Sequence, residues 1–194
     1  MNFVSMLDAF GNARGEIERR APSPPSKSTI PAELAKISAK ISPETDYNSI
    51  FSLVRKAVKK ATGRERVGIG LAIADLPSQL GAFWEVGGNY IVMNRNLLDA
   101  LKVANRPPEE INSFVFVILM HEYLHSLGYL DEKVARSMTA KICSSIFDSN
   151  HPAYSLGMKD PWAVYPFLAY VPNGNGENFR IVNNFDSESV TYIM

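Results

Sequence analysis

Cysteine is nearly missing from this chain. Cys143 stands alone among 194 residues, so no internal disulfide can form, and a small disulfide-stapled scaffold is excluded. Histidine is scarce as well, with three in all. Neither sign of charge is in excess: Lys plus Arg and Asp plus Glu are each 20, for a formal net charge of zero. That removes the global electrostatic footprint of a protein for nucleic acid or an anionic membrane. The apolar run Phe114 to Met120 is too short, and too closely flanked by charge, for a transmembrane segment. There is no internal repeat, and Gly68-x-Gly70 lacks the further glycine and the following helix of a nucleotide loop. Met1 to Arg20 lacks the basic start of a secretory signal, and Asp8 interrupts its apolar run. With neither signal nor disulfides, the expected location is cytoplasmic.

What is present reads as ordinary globular protein, 46% hydrophobic and 21% charged. The length suits one well-cored domain with an extra arm. Phe3, Val4, Met6, Leu7 and Phe10 give residues 1–20 one apolar side, so a short amphipathic helix is expected there, docking on its own domain, a second copy or a partner rather than on a membrane surface, since the polar residues after it are mixed in sign. Ala21 to Pro31 is rich in proline and serine, a semi-rigid linker. Residues 1–31 are therefore read as an arm and 32–194 as the domain.

The chemistry concentrates in His121-Glu122-Tyr123-Leu124-His125. The two histidines are four residues apart, so on a helix both imidazoles share one face, one turn apart. Two ligands of one tetrahedral zinc need that separation. Glu122 then projects beside the metal, where this motif uses its Glu as general base toward a metal-activated water. Pro107, Pro108, Glu109 and Glu110 mark a helix start, with Asn105 a cap candidate, and Gly128 marks its end. Burying His, Glu and His together without a metal would leave several polar groups stranded, each at a few kcal/mol. A purely structural helix is the alternative.

With Gly128 and Asp131, the stretch reads H-E-x-x-H-x-x-G-x-x-D. It resembles the zinc signature of the metzincin clan of metallopeptidases, in its variant with Asp as third ligand. The resemblance implies one Zn2+ held by His121, His125 and Asp131, a chain reversal at Gly128, Glu122 as general base, and a peptide or protein substrate. Glu122 would take a proton from the activated water and return it to the leaving amine. Two residues compete with Asp131. Glu132 as ligand would resemble the gluzincin pattern, and His151 is the one other histidine. Asp131 also sits where the N-cap of the next helix belongs. The clan's methionine turn has its best candidate in Met158, and Tyr154, Tyr165 and Tyr170 are placed where a phenol could face an oxyanion.

The remaining expectations are an α/β (α+β) zincin-like domain with a small mixed sheet. Ala32 to Ile41 suits a short helix. Ser42-Pro43-Glu44 reads as the start of a second, with Tyr47, Ile50, Phe51, Val54, Val58 and Ala61 on one stripe and Gly63 as the stop. The basic cluster from Arg55 to Arg66 is read as a solvated helix end. Strands are expected at 67–74, with a bulky and a small face, at Leu80 to Val86 and at Tyr90 to Met93. A short helix capped by Asn94 or Asn96 follows. Gly81 to Glu85 would border a substrate cleft by zincin analogy, or form a hairpin with Trp84 packed. Asp131 to Phe147 is read as a helix with Val134, Met138, Ile142 and Ile146 inward, and Phe179 to Val182 and Val190 to Ile193 as short strands. Two other functions fit this sequence: a zincin-fold binding module with a structural zinc, and a metal-free interaction protein recruiting through its arm and edge strand.

Overall fold

The computed structural model describes Ile41 and residues 45–186 of the chain. The arm, the helix expected at Ala32 to Ile41 except for Ile41 itself, Ser42-Pro43-Glu44 and the Val190 to Ile193 strand fall outside the described residues. Helix α1 (Tyr47–Thr62) starts at Asp46, whose carboxylate accepts from Ser49 N, and stops at Gly63 in the left-handed conformation, φ 70°. Its stripe is inward from Ile50 to Val58, with Ile50, Phe51, Leu53, Val54, Ala57 and Val58 buried, while Tyr47 is half-buried and Ala61 at the last turn is exposed. Strands β1 (Gly70–Ala74), β2 (Ala82–Trp84) and β3 (Tyr90–Asn94) follow. Then come α2 (Arg95–Val103), α3 (Pro108–Ser126), α4 (Glu132–Ile146), α5 (Pro152–Met158), α6 (Pro161–Val164), a 3-10 turn (Pro166–Tyr170) and β4 (Arg180–Ile181). The result is an α/β domain with six α-helices and a four-stranded mixed sheet among the described residues.

The sheet order is β2-β3-β1-β4. β1 and β3 are parallel, with Gly70 opposite Tyr90 and Ala74 opposite Asn94; β2 and β4 run antiparallel along the two outer positions. One face carries Ile69, Leu71, Ile91 and Met93 into the main core. The small face does not receive a helix: Ala72 and Ala74 pack with Leu76 and Val92 under Leu80 and Phe83, so the β1–β2 loop folds back over it. Asn94 holds that loop. Fully buried, it accepts from Leu76 N and Asn96 N, and its amide donates to the carbonyls of Leu76, Pro77 and Leu80 at 3.2, 3.0 and 2.8 Å. One side chain thus caps α2 and satisfies backbone groups that burial would otherwise leave unpaired.

α3 is the centre of the molecule. Every residue from Ser113 to Met120 is buried, as expected of a helix apolar on all sides, and it packs against α1, α4, α5 and β2. Its start is Pro107 without a side-chain cap, and Asn105 stands outside at φ 50°. Gly128 takes φ 97° after the last turn, where a left-handed residue is needed.

Two expectations need correction. On α4 the buried residues are Ala135, Thr139, Ile142, Cys143 and Ile146, while Val134 is 45% exposed. Ile142 and Ile146 face inward as expected and Met138 packs half-buried against the core, but at the start of the helix Ala135 and Thr139 take the inner side instead of Val134. A Cβ on Gly157 would lie 2.5 Å from Cys143 Cβ, so small side chains must line that contact. Met158 is the last residue of α5 rather than part of a turn. The basic cluster is partly engaged in ion pairs: Arg55 pairs with Glu65 and Asp186, and Lys59 with Glu65.

Candidate metal centre

α3 carries His121, Glu122 and His125 at its C-terminal end, where the apolar helix meets the surface. His125 Nδ1 lies 2.8 Å from the carbonyl oxygen of Tyr129. A carbonyl only accepts, so Nδ1 carries a proton and Nε2 is the nitrogen turned toward His121 and Glu132, able to ligate a metal once it releases the proton it shares with Glu132. Gly128 makes this contact by reversing the chain between helix end and Tyr129. His125 Nε2 stands 3.1 Å from His121 Nε2.

The residue that joins the pair is Glu132, not Asp131. Glu132 Oε2 lies 3.2 Å from His121 Nε2 and 3.3 Å from His125 Nε2. Asp131 serves as N-cap of α4, its carboxylate accepting from Val134 N at 3.0 Å. The physical reason is a competition for one carboxylate: a cap oxygen aimed along the helix at its own N–H groups points away from a neighbouring helix. Glu132, one residue inside α4, has the longer side chain and reaches across. His151 is elsewhere, capping α5 through Nδ1 to Ala153 N and stacked on Phe147. His121, His125 and Glu132 are the one group of three metal-ligating side chains among the described residues.

The donor set fits a metal ion. Two imidazole nitrogens and a carboxylate oxygen suit zinc and other divalent first-row metals. A tetrahedral zinc with bonds of about 2.0–2.1 Å has donor–donor edges of roughly 3.3–3.4 Å. The three edges here are 3.1, 3.2 and 3.3 Å. Burial works against charge on Glu132, but hydrogen bonds to His121 and His125 and to Arg136 win, and its carboxyl is held far below the usual range. The Glu132 hydrogen bond raises the pKa of His125.

Glu122 is 7% exposed. Burial pushes its pKa up, opposed by the two histidines and by the backbone N–H of Trp84. The edge strand β2 packs on α3, the helix that carries Glu122. Trp84 is itself packed, its Nε1 donating to Gly88 O at 2.8 Å.

Three supporting residues had no role assigned from the motif. Tyr123 is fully buried, accepts from Arg66 N at 2.7 Å and donates to Arg66 O at 2.9 Å. The Arg66 guanidinium then donates to Ser126 O, Gly88 O and Asn89 Oδ1, and lies over the Trp84 ring. It ties the end of α3 to the β2–β3 hairpin. Nothing local in sequence announces this, since the hydrogen-bond partners lie at least 22 residues away. Arg136 follows Glu132 by one helical turn, a spacing that does announce a pair, and donates to Glu132 Oε1 at 2.7 Å. Of the tyrosines, Tyr165 is buried with its hydroxyl on Glu110, and Tyr170 is 88% exposed.

No helix among the described residues is long and apolar enough to cross a membrane. The chain matches no family model, no curated protein and no solved structure.

Proposed function

We propose that this protein is a zinc-dependent metallopeptidase, with His121, His125 and Glu132 as ligands and Glu122 as general base. One observation carries the reading: three donors converge at tetrahedral spacing beside a buried carboxyl on the same helix. Among the described residues the group has three members, and a catalytic zinc keeps its fourth position open whereas a structural one is closed. Zinc, when bound, supplies a Lewis acid and an acidified water.

The chain's own residues do the rest. His125 is fixed in its tautomer by Tyr129, and Glu132 brings the negative charge. Glu122 sits in a dry setting with a raised pKa, which suits a group that must accept a proton near neutral pH and give it up again. A ligand Glu on the helix after H-E-x-x-H resembles the gluzincin arrangement more than the metzincin one from which Asp131 was inferred.

The test is elemental analysis of protein purified without chelators, followed by a peptide-library assay. About one zinc per chain is expected, with cleavage lost in Glu122→Gln and the metal retained. Absence of metal after zinc is added back, or full activity in Glu122→Gln, overturns the proposal.

A further inference from the structure

We infer that Arg136 is a positioning residue that makes Glu132 a one-oxygen ligand and so keeps the metal position open. The inference rests on the proposed metal reading. The two Glu132 oxygens have separate tasks. Oε2 faces both imidazoles, while Oε1 accepts from Arg136 Nε at 2.7 Å. Arg136 is held from its other side, where Nη1 donates to Asp160 Oδ2 at 3.2 Å. Asp160 is in turn fixed, its Oδ1 accepting from Trp162 N at 2.9 Å as the cap of α6. Trp162 Nε1 donates to Ser78 O at 2.9 Å. A chain of contacts therefore runs from the loop before β2, through α6, to the far oxygen of the third ligand.

An exposed Glu–Arg pair one helical turn apart stabilises a helix only slightly, and that alone would be the ordinary account. It does not explain Asp160, which reaches Arg136 from 24 residues away. It also leaves out what Oε1 would do unheld. A free carboxylate can chelate a cation with both oxygens, taking a second coordination position. Held by Arg136, Oε1 is spoken for. Hydrogen bonds to ligating groups of this kind commonly govern affinity. Lysine is a poor substitute, since a single ammonium cannot reproduce the two separate donors of the fork.

The experiment measures zinc affinity by chelator competition, and the visible spectrum with cobalt(II) in place of zinc, for wild type, Glu132→Ala, Arg136→Ala, Arg136→Lys and Asp160→Asn. Arg136→Ala is expected to bind zinc about 10–100-fold more weakly. Its cobalt bands should weaken as the freed Oε1 adds a ligand, while its metal-free form melts with metal-free wild type. Arg136→Lys should recover part of the affinity. Asp160→Asn, which keeps the cap oxygen and the Glu132–Arg136 pair, should shift both readouts in the same direction by less, and it serves if Arg136→Ala does not fold. Wild type without affinity for either metal overturns the metal reading and this inference together. Wild type that binds, Glu132→Ala that does not, and Arg136→Ala with unchanged affinity and spectrum overturn this inference alone. Full recovery by lysine also overturns it, since charge would then suffice.

Discussion

The Nδ1–H of His125 donates to the carbonyl oxygen of Tyr129 across 2.8 Å, and that bond turns the ring's other nitrogen toward His121 and Glu132. A backbone carbonyl held by the reversal at Gly128 thus chooses the tautomer of a candidate ligand. The turn and the metal centre are one construction.

Asp131 and Glu132 should separate cleanly on mutation. Asp131→Ala removes a cap bond to Val134 N and is expected to lower stability by about 1 kcal/mol, read by urea unfolding, with metal binding kept. Glu132→Ala should abolish metal binding, measured by elemental analysis after dialysis. The reverse pattern would return the third ligand to Asp131.

Chelation should destabilise the folded state. A ligand at one hundred times its dissociation constant stabilises by about 2.7 kcal/mol, so stripping the metal should lower the melting temperature by roughly 5–10 °C for a chain of this size. Glu132→Ala should melt at the same temperature with and without chelator. A wild-type melting curve indifferent to both chelator and added zinc would contradict a bound metal.

His151 ties stability to pH. Burial pushes its pKa down, against the pull of Glu109 and Asp148, and its Nδ1 must stay unprotonated to accept from Ala153 N. A depressed folded value means the folded state resists protonation. The contribution is therefore complete above the ordinary imidazole value of about 6.5 and is lost as pH falls from there toward the folded value. His151→Asn keeps an oxygen able to cap α5 but cannot titrate. Its unfolding free energy should fall less than that of wild type between neutral and mildly acidic pH. Parallel curves for the two proteins would refute this assignment.

Gly157→Ala pits two effects against each other. Alanine gains about 1 kcal/mol of helix propensity over glycine. The new Cβ would lie 2.5 Å from Cys143 Cβ and 2.6 Å from its sulfur, and overpacking of this sort typically costs about 1–3 kcal/mol. The clash is expected to win, giving a lower urea midpoint than wild type; a raised midpoint would show that α4 and α5 can part freely.

Much was legible along the chain. The stripe of α1 and its stop at Gly63, the apolar run of α3 and the pairing of His121 with His125 are local matters. Each depends on residues within one or two turns, where periodicity and backbone conformation act directly. Even the cap role of Asp131 was readable, because an N-cap concerns only the next three residues. The N-terminal helix expected at Ala32 to Ile41 and the arm before it lie outside the described residues.

Other features depended on which surfaces meet. Bulk alone pointed to Val134 on the inner side of α4, and the small residues Ala135, Thr139 and Cys143 are buried there instead, with Cys143 against Gly157. The small face of β1 suited a helix by composition and received a loop, held by the buried amide of Asn94. By itself, the sequence determined the helix with its two histidines and Glu122, since 3.6 residues per turn leave no choice in their relative placement. Only the tertiary structure brought Glu132 rather than Asp131 to the histidine pair, because neighbours in sequence diverge by about 100° around a helix and the cap position directs the Asp131 carboxylate to Val134 N.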